Sequence, residues 1–259
     1  MGKGMTNASA KMIAEPKRRS WFVDIGIRLV KEKPLGAVGG VVTLLLFLIA
    51  ILADFIAPYG MNETGVVASF TSPSVAHLLG GDQLGRDIFS RIVYGARISV
   101  TVGLVATSLS TVIFLVIGGL SGYLGGKFDL VVQRFVDVVL CFPGLVLLIT
   151  LMTFIGAGLW NVIIVLGIVV GIQSSRVIRS TVMSVKENVY VQAAVAIGCS
   201  PTRVLIRHIM PNIMAPAIVL FSTQVPGMIL AEASMSFLGF GIPPPFLAGG
   251  ECLVPRALL

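Results

Sequence analysis

Five apolar stretches recur along this 259-residue chain, most of them near the 20 or so residues that an α-helix needs to cross a bilayer. Hydrophobic residues make up 56% of the chain and charged ones 12%, about half the roughly 25% usual in soluble domains. With a mean hydropathy of +0.96, the apolar content exceeds what one soluble core could hide. Lipid must therefore be the solvent for much of the surface, and a water-exposed globule is excluded. The net charge is +7, yet the basic residues gather at the edges of apolar runs, where they act as orientation signals rather than as a nucleic-acid footprint. Cys141, Cys199 and Cys252 are far apart, with no CxxC pair and no histidine pattern for a metal.

Residues 1–34 carry eight basic residues against three acidic ones, which predicts a cytoplasmic N-terminal segment. No cleavable signal is visible, so the first apolar run, 35–57, is expected to remain as an anchor, with Asp54 near its outer end. Residues 58–98 are rich in turn residues and balanced in charge, as suits an external connection. Within them Ile88, Phe89, Ile92 and Val93 recur at helical spacing, predicting a short amphipathic helix at the interface. Further spans are expected at 99–122, at 138–155 with a kink at Pro143 and Gly144, at 159–172, and at 213–231. Between the last two, 176–211 holds five basic residues to one acidic and belongs on the N-terminal side. No sixth apolar run follows Pro243-Pro244-Pro245, and the tail 246–259 is expected to reflect a truncation, a frameshift or an engineered end.

The 176–211 stretch is written as helix, turn, helix. Val185 to Ile197 lacks Gly and Pro, Gly198 stands where a helix end needs a left-handed residue, and Ser200-Pro201 supplies an N-cap and first-turn proline. Gln192, Ala193 and Ala194 make a small-sided patch that a partner could cover, and Pro211 is expected to end the second helix. Physics alone slightly favours a loop lying on the bilayer. Small residues at Gly118, Gly122 and Gly126, and at Gly167 and Gly171, predict close helix packing. Gly126-Lys127 lacks the rest of a phosphate-binding loop.

The run Gln192-Ala193-Ala194, then Gly198 and Pro211, resembles the EAA loop of ATP-binding-cassette importer permeases; Gln192, His208 and Met210 replace that pattern's Glu, Ile and Leu. Two more segments, Gly81-Asp82-Gln83-Leu84-Gly85-Arg86-Asp87 continuing to Ser99, and Ser236 to Pro245, resemble the C-type permease subunits for dipeptides, oligopeptides and nickel. The resemblance implies an all-α polytopic bundle of the type I importer class, usually six spans and here five, with a permease core over 99–245. It implies half of a translocation path in the bacterial cytoplasmic (inner) membrane, with no cofactor, metal or catalysis of its own and no nucleic acid. The implied partners are a second permease subunit in a heterodimer, two cytoplasmic ATP-binding subunits that bind the ATP, and an extracytoplasmic substrate-binding protein. Coupling to the ATPases would fall to Gln192, Ala193, Ala194, Gly198, Ser200, Pro201, Arg203 and Pro211. Contact with the binding protein would fall to Asp82, Gly85, Arg86 and Asp87, although a local ion pair shaping the loop accounts for Arg86 and Asp87 as well.

An ion-gradient-driven transporter is the alternative, but it would bury titratable groups mid-span, whereas Asp54, Asp137 and Glu232 fall near span ends. An intramembrane enzyme would need His77 and His208 on one side, and the topology separates them.

Overall fold

A computed structural model of the chain describes residues 34–242. The basic segment over 1–33, the Pro243-Pro244-Pro245 run and the tail 246–259 lie outside the described residues. Among the described residues there is no strand, only a single bridge pairing Gly81 with Asp87. Contacts divide the chain at Leu45 into two units. The first contributes the opening of α1 (Pro34–Ile51), where the Thr43 hydroxyl donates to the Gly39 carbonyl. The second holds the remaining elements: α2 (Ala53–Ile56), α3 (Ile88–Leu124), α4 (Gly126–Cys141), α5 (Gly144–Ile155), α6 (Leu159–Lys186), α7 (Val189–Ala196), α8 (Pro201–Arg203) and α9 (Met210–Phe237).

Four helices among the described residues are long and apolar enough to cross a membrane: α1, α3, α6 and the continuous rod Pro201–Phe237. A fifth crossing exists if α4 and α5 count as one broken span. The amphipathic turns from Ile88 are not a separate short helix. They open the 37-residue α3, about 55 Å long, because Asp87 caps the start and nothing between there and Leu124 breaks it. The residues between the spans expected at 99–122 and 138–155, Lys127 and Arg134 among them, are helical in α4, and Pro143 does more than kink a span: α4 and α5 meet at 94°. Nor does α6 stop near Ile172; it runs on to Lys186, so Arg176 and Arg179 are helical.

The centre of the bundle is the seam between α3 and α6. A Cβ on Gly118 would lie 2.4 Å from the Ser175 carbonyl oxygen, and one on Gly122 would lie 2.8 Å from that of Arg179. Gly167 and Gly171 are filled in turn by Leu109 and Ile113 of α3. Small residues thus let the two backbones touch, as their spacing predicts. Gly126 takes no part: it sits at a turn with open space around it. Because partner numbers rise together along both helices, α3 and α6 run parallel. The chain between them must therefore return across the membrane. Two apolar clusters fill the bundle, one including Val102, Met152, Leu166 and Met235, the other including Phe114, Ile178, Val182 and Ile213. Between them Gln224 of α9 accepts from the Ser110 hydroxyl at 3.1 Å and donates to Ser174 at 2.7 Å, tying α9 to both seam helices.

Candidate functional site

Two connections carry the predicted functional residues, and they lie at opposite ends of α3. The stretch after α6 contributes to the cluster around Phe114, Ile178 and Val182. Here Val191 and Ala194 are only 1% and 5% exposed, and Val204 and Ile209 are buried with them. Ala194 is therefore buried, which corrects the expected three-residue patch: Gln192 and Ala193 are exposed and Ala194 is not. The predicted start at Val185 is also corrected. The chain breaks at Glu187 and Asn188 before α7 begins, and the Gln192 amide donates to the Glu187 carbonyl at 3.1 Å.

Gly198 has φ +86°, the left-handed geometry its sequence position demands. The Gly198 N–H reaches the Val195 carbonyl at 3.0 Å and the Cys199 N–H reaches that of Ala194 at 3.1 Å, the two bonds of a Schellman motif. Ser200 holds the extended N-cap backbone and Pro201 the first-turn position, but the Ser200 side chain makes no capping bond. Ser200, Pro201 and Arg203 are exposed.

Pro211 does not end the helix. A π-helical stretch, Val204–Ile209, precedes it and passes directly into α9. A proline ring collides with the carbonyl four residues back in a regular helix, and widening that turn relieves the clash. The result is one rod from Pro201 to Phe237. Sequence reasoning missed the exposed apolar neighbours of Ala193, namely Val189 at 81% and Ile197 at 82%, with Tyr190 beside them. Their spacing of four with Ala193, in a segment outside every span, is the signal that could have found them.

The other connection encloses its charges. Asp82 accepts from the N–H groups of Leu84 and Arg86 at 2.8 and 3.0 Å and from Arg86 Nε at 2.7 Å, and it also pairs with Arg91 Nη1. Asp87 caps α3, accepting from Ser90 N and Oγ, both at 2.8 Å, while His77 Nδ1 lies 3.1 Å from its other oxygen. His77 also stacks on Tyr59. Burial raises both aspartate pKa values, but the bonds outweigh it. Arg86 and Leu84 hold Asp82 below the ordinary 3.8, and Ser90 and His77 do the same for Asp87. Gly85 takes φ +68°, and a Cβ there would meet the Val67 carbonyl oxygen at 2.4 Å. Asp82, Gly85, Arg86 and Asp87 are thus brought together as a frame with little open surface. Exposed beside them are Phe70, Val75, Leu78 and Leu84. Arg91, buried in that frame, was not singled out from sequence.

Glu232, expected at a span end, is fully buried; its carboxylate accepts from Ser236 at 2.8 Å and Ser99 at 3.3 Å. Among the described residues, no group of three or more His, Cys, Asp or Glu side chains is placed to hold a metal ion.

Residues 114–246 match the family described as binding-protein-dependent transport system inner membrane component, and residues 20–73 match the N-terminal TM domain of oligopeptide transport permease C. The chain is 35% identical over 244 residues to the dipeptide transport system permease protein DppC of Bacillus subtilis, covering 94% of this chain and 76% of that one. It is 36% identical over 234 residues to the oligopeptide transport system permease protein OppC of the same organism, covering 90% and 76%. It is also similar to the glutathione transport system permease protein GsiD of Pectobacterium atrosepticum, at 34% over 244 residues, covering 94% and 79%.

Proposed function

Because the chain belongs to the family of binding-protein-dependent transport system inner membrane components, we propose that it is a permease subunit of an ATP-driven importer that carries peptides. The names of its relatives, which cite dipeptides, oligopeptides and glutathione, favour a peptide over nickel as cargo. In this reading the chain lies in the bacterial inner membrane with its N-terminus in the cytoplasm. It pairs with a second permease subunit, receives substrate from an extracytoplasmic binding protein, and takes its energy from two ATP-binding subunits. It holds no cofactor and performs no covalent chemistry.

The observation that carries the coupling mechanism is the unbroken rod Pro201–Phe237. An ATPase groove closing over Gln192, Ala193 and the exposed Val189 and Ile197 would grip α7. The Schellman turn at Gly198 joins α7 rigidly to the rod. Val191, Val204 and Ile209 fasten both to the base of α3 and α6. Displacement of α7 then rotates a helix that reaches the far side, so nucleotide-driven closure switches the path between inward-open and outward-open. Ser200, Pro201, Arg203 and Pro211 serve this joint, with Arg203 exposed toward the partner.

The test is Ala193→Trp in the assembled transporter reconstituted in vesicles. Peptide uptake is expected to fall at least tenfold while ATP hydrolysis continues. Uptake that persists would overturn the placement of the contact, and ATP hydrolysis by the purified chain alone would contradict the assignment.

A further inference from the structure

We infer that α4 is a membrane-surface helix, seated among lipid headgroups at the face where α3 and α6 end, and that α5 alone makes the return crossing.

The first step is topological. The ends of α3 and α6 lie side by side, with Lys186 Nζ donating to the Tyr123 carbonyl at 2.9 Å and resting over the Tyr123 ring. Their parallel course obliges the segment between them to return to the opposite face. That segment is α4 and α5, and two helices meeting at 94° cannot both follow the bilayer normal. Composition decides between them. The 12 residues of α5 include no charge, whereas the 16 residues of α4 include Lys127, Asp129, Arg134 and Asp137.

The second step is the distribution of side chains around α4. One face is held by protein: Asp129 accepts from Arg179 Nε and Nη2 at 2.5 Å and from Ser121, Gln133 bonds Ser121 at 3.2 Å, and Val136 is buried. Asp137 pairs with Arg176 farther along. Phe128, Val131, Phe135 and Val138 are all exposed, and at about 100° per residue they share an arc of about 80°. Lys127 and Arg134, also exposed, border that arc. A large apolar stripe edged by long basic side chains is the pattern of a helix lying in the interface, its stems on the acyl boundary and its cations at phosphates. The stripe continues through Phe142 to the exposed Leu145 and Val146 of α5, so it is one surface with the lipid-facing side of a crossing helix.

The third step is length. At about 1.5 Å per residue, α5 spans about 18 Å, about 12 Å short of a hydrocarbon core about 30 Å thick. A helix embedded by about 5–10 Å supplies most of that difference, and slight thinning of the bilayer supplies the rest. The occupant of the exposed α4 face is therefore phospholipid, not a second protein subunit.

Spin labels placed singly at Phe128, Val131, Phe135 and Val138 test this, in the assembled transporter with Cys141, Cys199 and Cys252 of this chain replaced by Ser. The vesicles contain phosphatidylethanolamine and phosphatidylglycerol. These side chains are 47–66% exposed and belong to neither apolar cluster, so labelling disturbs no core. Accessibility to oxygen against a water-soluble nickel reagent reads depth. All four labels are expected at one level just under the headgroups, within about 3 Å of one another. Labels at Val146, Thr150 and Phe154 of α5 should differ by about 1.5 Å per residue. A steady change of about 15 Å from Phe128 to Val138, at that same rise per residue, would make α4 a span and overturn the inference. Labels on α4 shielded from both reagents would also overturn it, by showing that another subunit covers the stripe.

Discussion

The connection before α3, outer in the proposed orientation, and the connection after α6, inner in it, are both dense in motif residues, yet they hold their shapes by opposite means. The outer one is built around two carboxylates, with Asp82 gathering Arg86, Arg91 and two backbone N–H groups while Asp87 joins His77 to the start of α3. Among the described residues, the inner one has no ion pair between Glu187 and Arg203; it is anchored by Val191 and Val204 in an apolar cluster, by the buried Ala194 and by the Schellman turn at Gly198. The contrast teaches where contact residues are to be sought. Where charges pair with each other, they form the frame, and the free surface passes to the apolar tips between them. Where apolar residues form the frame, the intervening positions remain open, as Gln192 and Ala193 do.

Asp82→Ala should break the comparison most severely. It leaves Arg91 buried without its carboxylate and strands the N–H groups of Leu84 and Arg86. Removing one partner of a buried pair costs about 3–5 kcal/mol, and partial exposure of Asp82 puts the expected loss at the lower end. Thermal unfolding in detergent micelles measures it. A melting temperature unchanged from the parent would mean that the carboxylate is not the frame.

The inner loop should respond to bulk instead. Ala194→Trp forces a ring into a buried position, with an expected loss of about 1–3 kcal/mol, whereas Ala193→Trp, one residue earlier and exposed, should stay within about 0.5 kcal/mol. The same melting experiment compares the pair, and equal losses would erase the distinction between anchoring and open positions. Gly198→Ala should cost about 1–2 kcal/mol, because its left-handed φ is strained for any side chain. Its helix-end bonds should loosen, which faster amide exchange at Cys199 would report.

Much of this was legible in the sequence because the signals were local. Apolar length gave the spans, Gly198 gave the helix end, and the spacing of Gly118 with Gly122 and of Gly167 with Gly171 gave the seam. What escaped depended on tertiary context. A proline normally stops a helix, yet Pro211 continues one after the wide turn at Val204–Ile209, and Pro216 and Pro226 stand inside it. Hydropathy sees 138–155 as a kinked span, because the 94° corner between α4 and α5 and the ion pairs of Asp129 and Asp137 are not written in apolar content. The inward turn of Ala194 depends on which side of α7 meets the bundle, and two adjacent alanines look alike in a sequence. The carboxylates of the outer motif likewise look equally suited to a partner and to their own loop until Arg91 is found beneath them.

Acid should separate the two connections by a smaller but more selective effect. Asp82 and Asp87 have folded pKa values below the ordinary 3.8, so the unfolded chain takes up their protons first as pH falls. Their stabilisation is therefore complete above the ordinary carboxylate pKa and is lost as pH drops through the lower folded values. Amide exchange or proteolysis near pH 3 should accordingly open residues 65–90 while α7 keeps its protection, since no carboxylate pair holds that helix. Asp82→Asn should remove part of this pH dependence, having already lost the charge that protonation neutralises. If α7 opened first, or if Asp82→Asn left the acid response of the outer loop unaltered, apolar anchoring and carboxylate framing would not be the features that distinguish these two regions.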